Sequence, residues 1–171
     1  MPFPIRKRAA AALILVAASA GLAGCGGSDI TRPRLERSLP VVFSRLYVQQ
    51  ANLLGHKGIT AQNLHAKAQC DKGGPKTADV GPGANWICQM TWNDPNVSSD
   101  NLPGKFEMNV HSNDCYTAGG PSKTVGTFTI TDIHGNDVDN PVFEFDACFD
   151  PKSSNAPTGV VVATPTPTPT R

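Results

Sequence analysis

Trp86-Ile87-Cys88-Gln89-Met90-Thr91-Trp92 is the stretch that decides the fold. Trp86, Cys88, Met90 and Trp92 alternate with Ile87, Gln89 and Thr91. A helix turns through about 200° over two residues, so it would send Trp86 and Cys88 to opposite sides. An extended strand puts all four on one face. The same alternation recurs on either side. Upstream, Leu64, Ala66, Ala68 and Cys70 alternate with His65, Lys67 and Gln69. Downstream, Phe106, Met108 and Val110 alternate with Glu107, Asn109 and His111, Phe128 and Ile130 with Thr127, Thr129 and Thr131, and Phe143 and Phe145 with Glu144 and Asp146. Each reads as a half-buried antiparallel strand, one face on the core and the other in water. Turn-forming clusters separate them, at Gly73-Gly74-Pro75, Gly81-Pro82-Gly83, Asp94-Pro95-Asn96, Pro103-Gly104, Gly119-Gly120-Pro121 and His134-Gly135-Asn136.

One segment has a helical period instead. Leu35, Leu39, Val42, Phe43, Leu46, Leu53 and Leu54 form one broad stripe, with Arg34, Glu36, Arg37, Arg45 and Gln49 mostly off it. Pro33 suits a first turn and Gly55 a stop. Pro40 removes a backbone donor and crowds the preceding turn, so a kink, or a start near Ser38, is expected. The fold class is therefore α+β: one N-terminal helix packed on a four- to five-stranded antiparallel sheet. Trp86 and Trp92 share the phase of Cys88 and Met90, which assigns them to the core under the helix rather than to a ligand platform.

The chain has 171 residues and five cysteines. Cys25 closes the run Leu22-Ala23-Gly24-Cys25, preceded by the cations Arg6, Lys7 and Arg8 and an apolar stretch from Ala9 to Ala20. That stretch falls short of the ~20 residues of a membrane span. Its parts are those of an export signal. Leu22-Ala23-Gly24-Cys25 resembles a lipobox, and Met1 to Cys25 resembles the signal of a bacterial lipoprotein. The resemblance implies cleavage before Cys25, a thioether-linked diacylglycerol on that residue and an acylated N-terminus. Two or more acyl chains hold a protein stably on a bilayer.

Cys70, Cys88, Cys115 and Cys148 remain. An even number in an oxidising compartment points to two disulfides. A four-thiolate zinc site would favour short Cys-x-x-Cys pairs, which are absent. Cys70 and Cys88 share the core-facing phase of successive strands, whereas Cys115 and Cys148 fall out of the apolar phase. Pairing Cys70 with Cys88 and Cys115 with Cys148 keeps each bridge on one face.

The organisation that follows is a signal peptide over 1–24, a lipidated tether over 25–32, an α+β domain over 33–150 and a disordered Thr/Pro-rich tail over 151–171. Alternating proline in the tail blocks helix and sheet. Of fifteen Lys+Arg, three precede Cys25, and none of the fourteen acids does, which leaves twelve against fourteen, a net of −2. No basic patch suggests nucleic acid.

Catalytic signatures are missing. No G-x-S-x-G, H-E-x-x-H, P-loop or dinucleotide fingerprint occurs, and no cofactor is implied. Asp132-Ile133-His134-Gly135-Asn136-Asp137-Val138-Asp139 fails as an EF-hand loop. Counted from Asp132, position six is Asp137 instead of glycine and position twelve is Phe143 instead of an acid. It reads as a turn between strands. The water-facing side of the sheet should carry His65, Glu107, His111, Glu144 and Asp146, a set able to hold a divalent metal or polar ligand if strand order brings it together.

Cys70…Trp86-Ile87-Cys88 followed by Cys115-Tyr116-Thr117, together with the order of elements from Arg34 to Phe149, resembles the small secreted actinobacterial lipoprotein domains of unknown function. These pair a leading helix with a cystatin-like curled sheet and two cysteine pairs. The resemblance implies a non-catalytic fold. The inhibitory Gln-x-Val-x-Gly loop of cystatins is absent, so protease inhibition does not follow. The expected function is a membrane-anchored, extracytoplasmic binding or interaction module, joined to the membrane by lipid and to an envelope ligand or protein by its domain. The competing expectation is an envelope hydrolase or metal-dependent enzyme built on His65 and His111.

Overall fold

A computed structural model describes residues 30–97 and 102–149. Cys25, the signal segment and the Thr/Pro-rich tail lie outside the described residues. Helix α1 (Arg32–Leu53) comes first, followed by strands β1 (Lys67–Lys72), β2 (Gly83–Trp92), β3 (Leu102–Val110) and β4 (Cys115–Gly119). The one-turn helix α2 (Ser122–Val125), β5 (Thr129–Thr131), β6 (Asp137–Asp139) and β7 (Glu144–Cys148) complete the order. Five strands form one antiparallel sheet in the order β1-β2-β3-β4-β7, and β5 and β6 form a separate hairpin.

The domain begins before Pro33. Ile30 is fully buried, Thr31 bridges to Val80 and the Arg32 amide donates to the Asp79 carbonyl. The helix is continuous from Arg32 through Pro40 to Leu53, so it does not begin near Ser38. Pro40 is itself buried, and the residues that flank it on the stripe, Leu35, Leu39, Val42 and Phe43, are all fully buried. At roughly 1.5–3 kcal/mol for each large apolar side chain, that packing outweighs the ~3 kcal/mol of an interior proline. The helix stops as expected. Gly55 takes a positive φ of 74°, its amide bonds to the Asn52 carbonyl and the His56 amide to that of Ala51, a Schellman closure.

The core lies between α1 and one sheet face. Trp86, Cys88, Met90 and Trp92 are buried to 1 % exposure or less, as are Phe106 and Met108 opposite them. Phe43 of α1 packs on Trp92 (centroids 4.7 Å) and edge-on to Phe106 (5.5 Å). Gly104, on β3, leaves room for the Trp92 ring, because a Cβ there would stand 2.8 Å from it. The two tyrosines are buried with partners: Tyr116 hydroxyl to Ser38 Oγ at 3.1 Å, and Tyr47 hydroxyl donating to Asp94 Oδ2 at 2.7 Å. Gln50 Nε2 donates to the Val125 carbonyl and to Asn140 Oδ1, which fastens the loop after α2 to the helix.

The edge strand β1 is closed by carboxylates. Glu36 Oε1 accepts from the Cys70 amide (2.9 Å) and Asp79 Oδ1 from the Lys72 amide (2.8 Å). Those outward amides are thereby withheld from pairing with another chain.

Two expectations change. Phe128 and Ile130 do not add a core strand. They belong to the β5–β6 hairpin arm, where Phe128 is 54 % exposed and forms a T-shaped pair with Phe143 (centroids 6.0 Å). The fifth sheet strand is instead β4, whose inward residues Tyr116 and Ala118 are buried. Phe143 sits in the turn before β7, half-buried.

Candidate binding surfaces

Both disulfides form as the strand phases imply. Cys70–Cys88 and Cys115–Cys148 are at bonding distance, each between directly paired residues of neighbouring strands. The first is in the core, at 3 % and 0 % exposure, and the second is half-buried on the opposite face of the sheet.

The polar set expected on the outer face is only partly assembled. Register places Asn109, Thr117 and Asp146 in one row across β3, β4 and β7, and Glu107, Gly119 and Glu144 in the next. His111 follows β3 directly; its amide donates to the Cys115 carbonyl, and its Nε2 lies 3.4 Å from Thr117 Oγ1. His65 is elsewhere. It precedes β1 in a left-handed conformation (φ 45°), exposed, at the end of the sheet where Lys67 pairs Thr91 and Thr91 pairs Pro103. From that level to His111 is eight strand residues, roughly 25 Å. The pairing of His65 with His111 in one site is therefore corrected: they occupy opposite ends of the sheet. Among the described residues no group of three or more His, Cys, Asp or Glu side chains is placed to hold a metal.

The chain His111–Thr117–Asp146 has a definite polarity. Thr117 Oγ1 donates to Asp146 Oδ1 at 2.6 Å, so His111 Nε2 is the donor to Thr117. A histidine serving as base to a hydroxyl nucleophile must accept that hydroxyl's proton. Here the proton is committed to Asp146 and the imidazole points the wrong way. Glu107 is engaged by Lys105 Nζ at 3.1 Å, an exposed pair.

The run from Asp132 to Asp139 forms the expected turn between β5 and β6. The Asp132 carboxylate accepts from the amides of Asn136 and His134, both at 2.8 Å, and from Asn136 Nδ2. The Asn136 backbone bond leads in holding this carboxyl below its ordinary range. An oxygen committed to its own turn is a poor start for a calcium site.

The tip of that turn makes a surface the periodicities did not show. The Ile133 amide donates to the Leu53 carbonyl at the end of α1 (2.9 Å), so the tip lies on the helix. Between them is an open groove of about 390 Å³, floored by Val48, Leu53 and Ile133 and rimmed by Arg45, Gln49, Asn52, Asp132 and His134. Ile133 is 60 % exposed. Gly55 is needed twice here: its positive φ closes the helix, and a Cβ would come within 2.6 Å of Ile133 Cγ2. An isoleucine in an otherwise polar turn was the signal available in the sequence.

No helix among the described residues is long and apolar enough to cross a membrane. The chain matches no protein-family model, no curated protein and no solved structure.

Proposed function

We propose that this chain is an exported bacterial lipoprotein, held on the outer side of the cell membrane by lipid on Cys25, and that its domain is a non-catalytic binding or interaction module of the envelope. The distribution of cysteines carries the reading. Four of the five close as two disulfides within the domain, and the fifth is the cysteine of Leu22-Ala23-Gly24-Cys25. Disulfides of this kind persist in oxidising compartments, the same address that the N-terminal signal implies. A leading helix, an antiparallel sheet and two cysteine pairs are the features that the likeness to small secreted lipoprotein domains implies.

For contact with a partner, the groove between α1 and the β5–β6 tip offers an apolar floor with both charge signs on its rim. The enzyme reading gains no support from the outer face, where the imidazoles are apart and the Thr117 hydroxyl is committed to a carboxylate. Intact-mass analysis of envelope fractions tests the address. The expected product is an acylated chain beginning at Cys25, and Cys25→Ser should leave the chain uncleaved or unanchored. Recovery of Cys25→Ser as mature, membrane-bound protein refutes the proposal.

A further inference from the structure

The two disulfides differ in what surrounds them, and that difference points to a chemical role for one. Cys70–Cys88 is sealed beneath α1. Cys115–Cys148 lies half-buried on the outer face and joins β4 to β7, the edge strand of the sheet. Its two sulfurs are not equivalent. Cys115 is flanked on both sides, by Cys148 on β7 and by His111, which stands across from it at the end of β3 with its amide on the Cys115 carbonyl. The loop carbonyl of Asn113 also lies 3.6 Å from Cys115 Sγ. Among the described residues, Cys148 has a strand on one side only.

Thiol–disulfide exchange requires a thiolate to reach one sulfur while the other leaves, so access to the attacked sulfur governs it. We propose that Cys115–Cys148 is the thiol-exchange site of this protein, attacked at Cys148 from the open edge of the sheet, with Cys115 as the leaving sulfur.

The thiolate of an external dithiol, such as an exported oxidoreductase presents, bonds to Cys148 Sγ. The Cys115–Cys148 bond breaks, and its electron pair leaves on Cys115 Sγ, which takes a proton from water. The Asn113 carbonyl is within reach to accept the hydrogen of the new thiol. The second thiolate of the dithiol then attacks its own sulfur in the mixed disulfide and releases Cys148 as a thiolate, which is protonated. The dithiol ends as a disulfide and the pair as two thiols. The consequence is to remove the covalent tie between β4 and β7, which leaves β7, with Phe145 and Ala147 in the core, held to β4 by their antiparallel pairing alone.

Reduced glutathione, a monothiol, captures the first step. The folded, oxidised protein is exposed to it briefly, quenched in acid and mapped by peptide mass. The expected result is a glutathione adduct on the Cys148 peptide with Cys115 as free thiol, formed at least tenfold faster than any opening of Cys70–Cys88. An adduct on Cys115, equal rates at the two disulfides, or resistance of both until denaturant unfolds the chain would each overturn the proposal.

Discussion

Raising the pH should unfold this domain through its two tyrosines, and the size of the effect follows from where they sit. The chain contains no tyrosine besides Tyr47 and Tyr116, which are 7 % and 0 % exposed. Burial pushes the Tyr47 hydroxyl well above its ordinary range, and its hydrogen bond to Asp94 adds to the rise. Burial does the same at Tyr116, partly offset by the bond to Ser38. In the unfolded chain both ionise near pH 10. Above that pH the unfolded state has lost protons that the folded state keeps, so stability falls as pH rises; below it the contribution is complete. Each tyrosine costs about 1.4 kcal/mol per pH unit, the pair about 2.7, so at about pH 11.5 the loss is near 4 kcal/mol. Against a total of roughly 5–15 kcal/mol for a domain, that is a large share. Tyrosinate absorbance and far-ultraviolet circular dichroism after a pH jump provide the assay. Both phenolate signals should appear together, at the rate of loss of secondary structure. Tyr47→Phe should halve the slope of stability against pH, whatever it does to stability at neutral pH. A tyrosine that titrates rapidly near pH 10 while the dichroism holds would refute the argument.

Gly104→Ala should destabilise by about 1–3 kcal/mol through overpacking, because its Cβ would stand 2.8–2.9 Å from the Trp92 ring and 3.2 Å from Phe106; urea unfolding followed by tryptophan fluorescence measures it. Gly55→Ala should cost at least about 1 kcal/mol, since φ 74° disfavours a side chain and the new methyl meets Ile133; an unchanged urea midpoint would count against the tip-on-helix contact. Replacing Cys115 and Cys148 together by serine should remove about 3.7 kcal/mol in the chain-entropy model for a separation of 33 residues, seen as a fall of roughly 4 °C in Tm per kcal/mol. Glu36→Ala should cost about 1–2 kcal/mol by stripping the Cys70 amide of its acceptor, and Glu36→Gln, which keeps an acceptor oxygen, should recover most of it.

Period-two patterning made β2 and β3 legible because each carries large apolar residues on one side over several turns of the pleat; of the strand expected from Leu64 to Cys70, only the part from Lys67 onward forms β1, and Leu64 to Ala66 lie before it. The patterning could not show β4. Cys115-Tyr116-Thr117-Ala118-Gly119 has one bulky inward residue, Tyr116; its other inward residue is the small Ala118, and at Gly120, next in the same phase, a Cβ would meet Phe106 at 2.9 Å. The same pattern misled at Phe128 and Ile130, where two apolar residues alternate with threonine yet pair only with β6, in a hairpin too small to bury both. Tertiary packing overrode local preference at Pro40, where the residues on either side had more to gain from the core than the helix lost.

The candidate site shows why a face is easier to read than a location. Alternation sends His65 and His111 away from the core, and both are exposed. It says nothing of height along the strand. Strands β1 and β3 both run antiparallel to β2, so they point the same way. His65 lies before the start of β1 and His111 beyond the end of β3, and residues on the same face at opposite ends of parallel-running strands cannot meet. The cysteines escaped that ambiguity, because each pair falls on adjacent strands at one level. Alternation placed Cys70–Cys88 inward and Cys115–Cys148 outward, and that same difference in face now separates a bond that holds the core from one a thiol can reach.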